Sequence, residues 1–340
     1  MKTLITGGAG FIGSQLGFFL QKQGHEVTLL DNLKYGYIDN LMKDGRPYSR
    51  FICRDIRDVA MESAMNGMEA VFHFAGISSL PECQSNPGEA YAVNVAGVAN
   101  VLEMARRNGI KKIIFASTSA IYENETVFPC AESADAKPTL VYSLTKKHAE
   151  DLCQTFREAY GMDVTILRFF NVYGPHMDYL RPNPPFVSYV IKCLLNNEAP
   201  ILHSDGMQAR DMVYVSDVLA MCEIVMTNPK AKNEVFNIGS GTTATVQEMY
   251  NMLAKAFGLE HVKPQYREAK LLWDKYAKLF GGVYPLSHKL LEKEVNKYTL
   301  ASTKKAKEIL NWEARISLEE GLTMTVRYAQ DATRRNKRNV

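Results

Sequence analysis

The chain has little that would hold a metal, a membrane or a nucleic acid. Its six cysteines, at 53, 83, 130, 153, 193 and 222, are widely scattered and include no CxxC pair. That spacing argues against a zinc knuckle or a redox pair and for reduced, mostly buried thiols of a cytoplasmic protein. The seven histidines are dispersed as well, so no metal site is expected. No apolar run approaches the ~18 residues that cross a bilayer. Neither sign of charge dominates: 40 Lys plus Arg face 37 Asp plus Glu, a formal +3. A balance of that kind predicts no general attraction to nucleic acid or to a membrane surface. The basic stretch 334–338 (RRNKR) reads as a solvated, frayed terminus. The start MKTLITGG runs straight into glycines without a signal-peptide h-region, so no secretory signal is expected. Internal repeats and low-complexity tracts are also missing.

What remains is an ordinary globular composition, 46% apolar and 23% charged, in 340 residues. That length suits one large core or two domains sharing a cleft. Short apolar runs at 3–6, 26–30, 50–53, 70–74, 111–115 and 163–167 alternate with amphipathic stretches such as 11–23, 88–107 and 142–160. The alternation predicts an α/β fold, a Rossmann-type doubly wound parallel sheet with helices on both faces. After Gly174 the rhythm breaks into the proline-dense GPHMDYLRPNPPF (174–186). A smaller, mixed α/β second domain is therefore expected from 173–211 and 236–335. The first domain would comprise 1–172 and 212–235, the latter apolar enough to pack back on the main sheet.

TLITGGAGFIG sets Gly7, Gly8, Gly10 and Gly13 between the first strand and the first helix. Glycine there permits a tight turn and close approach of backbone to a pyrophosphate, which the helix N-terminus beginning near Phe11 attracts. Asp31 ends the second strand, where a carboxylate bonds ribose hydroxyls and repels a 2′-phosphate. NAD is the cofactor this pattern favours over NADP; Lys34 is the nearest cation. Asp55 and Ile56, after the third strand, are placed to meet adenine, with a helix N-cap before DVAMESAM as the other reading of Asp55. Downstream, Tyr142 and Lys146 form YSLTK, and a spacing of four puts both on one helix face. A phenol ionises near pH ~10, and a neighbouring ammonium together with a nicotinamide cation would lower that value.

Taken together, TGGAGFIG, DNLKYGYIDNL (31–41), HFAG (73–76), STSAIY (117–122), YSLTK and RFFNVYGP (168–175) resemble the extended short-chain dehydrogenase/reductase family. Within it, the chain is similar to nucleotide-sugar 4-epimerases of the UDP-galactose/UDP-glucose type. The resemblance runs from residue 1 to about 262 and resumes near 298. It implies that Tyr142 is the general base on a sugar hydroxyl, with Lys146 on the nicotinamide ribose and Thr118 sharing a hydrogen bond with the reacting oxygen. By the same resemblance Gly7, Gly10, Phe11, Ile12, Gly13, Asp31, Asn32, Asp55, Ile56, Phe74, Ala75, Asn94, Ser117 and Phe169 join Tyr142 and Lys146 in lining the cofactor. Thr118, Ser119, Asn171 and Arg210 would meet the substrate, the last two at its diphosphate. It also implies a homodimer, formed by the apolar faces of 88–107 and 142–160, and a place in carbohydrate or polysaccharide metabolism. Plainer roles stand beside these: a strand-end hydroxyl for Thr118, a turn residue for Asn171, an ion pair with Asp211 for Arg210.

The two residues after Thr118 narrow the reaction. Dehydratases of the family carry Asp and Glu there, and decarboxylases a Glu at the second position. This chain has Ser119 and Ala120, which supply no acid–base pair. Epimerisation by transient oxidation at C4 is then the simplest outcome. A dehydratase or a 4-ketosugar reductase is the alternative, and an NAD-binding regulator without activity is disfavoured by the intact Tyr–Lys pair. Three features depart from the family. Glu123 replaces a usual glycine, residues 263–297 are longer than usual, and no second diphosphate arginine is evident there. Trp273, Tyr276 and Phe280 recur at helical spacing, predicting a helix packed over the second domain, in a core or dimer role.

Overall fold

The structure, a computed structural model, describes residues 1–43, 45–178, 181 and 184–338, with side chains through residue 334. Seven parallel strands form the central sheet: β1 (Lys2–Thr6), β2 (Glu26–Asp31), β3 (Arg50–Cys53), β4 (Ala70–His73), β5 (Lys112–Thr118), β6 (Val164–Phe169) and β7 (Val235–Ile238). Their order is 3-2-1-4-5-6-7, so the chain reverses direction across the sheet between β1 and β4. In such sheets ligands settle at that switch point, outside the carboxyl ends of the strands.

Eleven α-helices are described: α1 (Phe11–Lys22), α2 (Leu80–Ser85), α3 (Pro87–Tyr91), α4 (Gly97–Arg107), α5 (Val141–Tyr160), α6 (Phe186–Leu195), α7 (Val215–Thr227), α8 (Val246–Phe257), α9 (His288–Asn296), α10 (Lys304–Leu310) and α11 (Leu318–Arg338). A π-helical turn, Ala92–Ala96, joins α3 to α4. The expected frayed tail is helical backbone to Arg338; the side chains of 335–338 lie outside the described residues.

Strand alternation explains the two-sided core. Neighbours Leu4 and Ile5, Leu30 and Leu29, Val71 and Phe72 go to opposite faces, each into its own cluster. One face is closed by α1 and α7 and continues into the second part through Tyr250 and Trp312. The other is closed by α4 and α5, with Val101, Leu102, Ala149 and Cys153. Burial on both faces is why β6 reads as an unbroken run, every one of its residues being covered. It even includes Arg168, whose guanidinium forms a two-pronged pair with Glu150 of α5 (3.0 and 2.8 Å).

Two expectations need correction. Placing the domain boundary at 235 would cut β7, whose Phe236, Asn237 and Ile238 pair with Leu167, Arg168 and Phe169; the main sheet runs to Ile238. The single helix expected around Trp273–Phe280 is instead a pair of 3-10 turns, Ala269–Leu271 and Asp274–Phe280, the second broken at Tyr276 (φ −105°, ψ 47°). Regular helix returns only at α9. The aromatic spacing came from burial: Trp273, Leu291 and Val295 form a satellite cluster with Leu140 and Leu80. The insertion thus rests against the entrance of α5 and against α2, not over the second part alone.

Candidate active site

The carboxyl ends of β1, β2, β4, β5 and β6 open onto one cleft. Its floor begins at the glycine turn. Gly7 has φ +71°, and a Cβ there would lie 2.7 Å from the Ala75 nitrogen; one on Gly13 would strike the Gly7 carbonyl at 2.2 Å. The turn is therefore bare backbone, packed against HFAG. Beyond it α1 starts at Gly10 with no side-chain cap and no acidic residue in its first turn. Phe11, Ile12 and Gly13 line the cleft, so free N–H groups and the positive helix end face it. These features fit a dinucleotide pyrophosphate.

At the far end, Asp31 is nearly buried, with one carboxylate oxygen accepting from Ala9 N (3.1 Å) and the other from Leu33 N (2.8 Å). Burial raises its pKa, against the lowering effect of those bonds. Asp55 accepts from Arg57 and from Asn32 and is held well below the usual carboxylate range by the guanidinium. It is not a helix cap: Asp58 caps the following 3-10 turn, accepting from Ala60 N. Asn32, Ile56, Phe74, Ala75 and Phe169 complete this wall.

On α5, Tyr142 and Lys146 both reach the cleft. Burial lowers the Lys146 ammonium to about 8. It sits 4.3 Å from the centre of the Phe115 ring, and no described residue hydrogen-bonds or pairs with it. A desolvated cation with unused donors is suited to ribose hydroxyls. Beneath Phe115 stacks His73, lowered to about 3 by burial and bonded through Nδ1 to Thr6 Oγ1 (2.6 Å). The Tyr142 phenol is pushed up to about 12, because its desolvation outweighs the lowering by a hydrogen bond with Thr118 and by the charge of Arg181. Within the protein alone, burial outweighs the charge of Arg181.

The hydroxyls of STSAIY separate. Thr118 Oγ accepts from Ala120 N (3.1 Å), capping the turn Ser119–Tyr122, and also faces Tyr142. Ser117 borders the cleft but donates its hydroxyl to Glu150. Ser119 is not on the cleft wall. Nor is Asn94, which sits behind it in the π turn and clamps the backbone of Ile77 from both sides (2.8 and 3.0 Å). It therefore supports the cofactor wall without forming it.

The two residues expected at the diphosphate do not line this cleft. Asn171 donates to the Asp211 carbonyl (2.9 Å) across a short strand pair. Arg210 spends its guanidinium on carbonyls at the C-terminal end of α9, those of Glu294, Val295 and Lys297. Carbonyls left over at a helix end attract a cation, which explains the choice. The ion pair with Asp211 does not form; that carboxylate accepts from Ser240, Gly241 and Ala301 instead.

Two groups escaped the sequence reading. Arg181 lines the cleft and acts electrostatically on Tyr142. It lies in the proline-dense stretch, where no periodicity gives a direction to a side chain. Glu123, noticed only as a departure from the family, binds the entrance of α5. It accepts from Thr139 N and Oγ1, Leu140 N (2.9 Å) and Ser143 Oγ (2.7 Å). Among the described residues no helix is long and apolar enough to cross a membrane, and no group of three His, Cys, Asp or Glu could hold a metal.

Residues 3–239 match the model of the NAD dependent epimerase/dehydratase family. A putative UDP-glucose 4-epimerase of Methanocaldococcus jannaschii is 33% identical over 334 residues, covering 97% of this chain and 99% of that one. Among solved structures, the UDP-glucose 4-epimerase of Thermotoga maritima with UDP-glucose superposes with a TM-score of 0.85 at 32% identity, covering 98% and 100%. That of Thermus thermophilus, in complex with NAD, gives 0.81 at 28% identity with the same coverage.

Proposed function

This chain belongs to the NAD-dependent epimerase/dehydratase family, and from that premise we propose that it inverts C4 of a nucleotide-diphosphate sugar. NAD+, when bound, would supply a two-electron acceptor for the C4 hydride and a donor for its return, so no second substrate would be consumed. Tyr142 takes the proton of the C4 hydroxyl and gives it back on reduction. Thr118 steadies that oxygen: one lone pair holds Ala120 N–H, which fixes the hydroxyl beside the phenol. Lys146 holds the cofactor ribose with the donors that no described residue uses.

Burial holds the Tyr142 phenol high even with Arg181 beside it; the positive charge of an oxidised nicotinamide at the same cleft would favour the phenolate. Arg181 also gives the anionic substrate a cationic wall; Asn171 and Arg210 brace the fold nearby.

The observation that carries this reading is the pairing of Tyr142 and Thr118 at one cleft, with Ser119 and Ala120 following Thr118 in sequence. A proton acceptor for the alcohol is present, and the carboxylates that would remove a C5 proton and expel water are missing from those two positions. In this reading 173–211 and 239–335 form the sugar-nucleotide side, α4 and α5 pair across a homodimer, and the protein works in the cytoplasm. The free, mostly buried thiols support the last point; gel filtration tests the dimer.

The test is turnover of UDP- and GDP-sugars in D2O followed by NMR. A C4 epimer free of solvent deuterium is expected, with none from Tyr142→Phe. Deuterium at C5 or C6 would indicate dehydratase or C3/C5 chemistry instead.

A further inference from the structure

Three segments meet at the adenosine end of the cleft, and one carboxylate ties them. Glu89 of α3 accepts from Lys34 Nζ through Oε1 (3.1 Å) and from Arg57 Nη1 through Oε2 (2.9 Å). Lys34 follows β2 and Arg57 follows β3; all three line the cleft with Asp31. Arg57 is further held by Asp55, through Nε and Nη2 at 2.9 Å each. Asp31 cannot turn away, because both of its oxygens hold backbone N–H groups.

We propose that Glu89 is a specificity-determining residue that excludes a 2′-phosphorylated dinucleotide. Asp31 repels a 2′-phosphate, but a lysine three residues on, in the same loop, is the cation that would compensate for it. Glu89 removes that compensation by pairing with Lys34 and with the outer edge of Arg57, and adds a negative charge of its own. Three carboxylates, Asp31, Asp55 and Glu89, then stand against Lys34 and Arg57, both of which are bound to Glu89 and neither to Asp31. Arg54, the other cation on this wall, leans 3.9 Å from Asp58. Without Glu89 the count is even and Lys34 is released, while Arg57 keeps its two bonds to Asp55. The pairs are part-exposed, with 43% and 36% of the Lys34 and Arg57 side chains accessible. Each pair is therefore individually weak and open to competition by a phosphate dianion.

The proposal rests on the reading that the cleft holds NAD, and binding measured apart from catalysis separates the two. Calorimetry on cofactor-stripped protein would give Kd for NAD+ and NADP+ with the wild type, Glu89→Ala and Glu89→Ala/Lys34→Gln. Glu89→Ala is expected to bind NADP+ about tenfold more tightly, with NAD+ changed by less than about threefold. The gain should fade in high salt and vanish in the double variant. Unchanged NADP+ affinity, or parallel weakening of both dinucleotides, would overturn it, the latter meaning that Glu89 only fastens the loops. A wild type that binds neither dinucleotide would remove the NAD reading and this proposal with it.

Discussion

Replacing Glu123 by alanine should loosen the residue that performs the proton transfer without touching it. Tyr142 is the second residue of α5, and the entrance of that helix hangs on the Glu123 carboxylate. The cost divides by burial. Thr139 is exposed, so water replaces its two lost bonds at little expense. Leu140 is 3% exposed, and its stranded N–H costs roughly 1–3 kcal/mol. Ser143 is fully buried, but its hydroxyl can turn to a helical carbonyl, leaving a loss of about 0.5–1 kcal/mol. The sum is roughly 2–4 kcal/mol, large against a typical stability of about 5–15 kcal/mol. Glu123→Gln keeps an acceptor for Leu140 and should lose only about 1 kcal/mol. Urea melts give these differences. Turnover, measured where both variants stay folded, should fall about tenfold or more in the alanine variant while bound NAD is retained, since Lys146 lies a full turn deeper. An alanine variant within about 0.5 kcal/mol of wild type, or one that turns over normally while folded, would refute the reasoning.

Lys146→Met should abolish NAD retention yet stabilise the empty protein. Its ammonium is lowered from 10.5 to about 8 by burial, which at neutral pH corresponds to a penalty of roughly 3–4 kcal/mol that methionine does not carry. The sign can be checked in the wild type: between pH 8 and 10.5 the unfolded chain holds a proton the folded one has lost. This group therefore makes stability rise with pH across that window, an effect that thermal melts should find missing in the variant. Gly7→Ala should fold less well and lose NAD, because the new Cβ meets backbone at 2.7 Å in a left-handed conformation; absorbance of released cofactor measures it. Arg181→Ala should raise KM for the nucleotide sugar about tenfold with NAD content unchanged, as initial rates would show.

Much of this was legible in the sequence because it depends on local pattern. The glycine turn, Asp31 at a strand end and the four-residue spacing of Tyr142 and Lys146 each follow from the geometry of a single element. The sheet followed from the alternation of buried runs with amphipathic ones. Long-range partners were not legible. Nothing in the sequence around Arg210 says that its guanidinium will meet carbonyls almost ninety residues away, and an arginine in that stretch invites a phosphate. Residues 263–297 misled for a related reason: Trp273 is buried against Leu80 and Leu140, so its spacing reflects tertiary contacts and not helical periodicity.

The three hydroxyls at the end of β5 show how finely such partners divide roles within one stretch. Successive residues of a strand point to opposite faces, so Ser117 and Thr118 cannot serve the same neighbour. Ser117 turns to Glu150, which also holds Arg168, and that guanidinium in turn binds the Tyr122 hydroxyl (2.6 Å). Thr118 turns to Tyr142 while its oxygen caps the next turn. Both ends of STSAIY are therefore anchored to one buried ion pair, and Thr118, among the four residues between the anchors, is the one that faces Tyr142. Breaking the pair by Arg168→Met would strand Glu150 at a cost of about 3–5 kcal/mol. The anchors on both sides of Thr118 would be released together, so stability and turnover should fall jointly. Loss of stability with undiminished turnover in the folded fraction would show that Thr118 is held by its own cap alone.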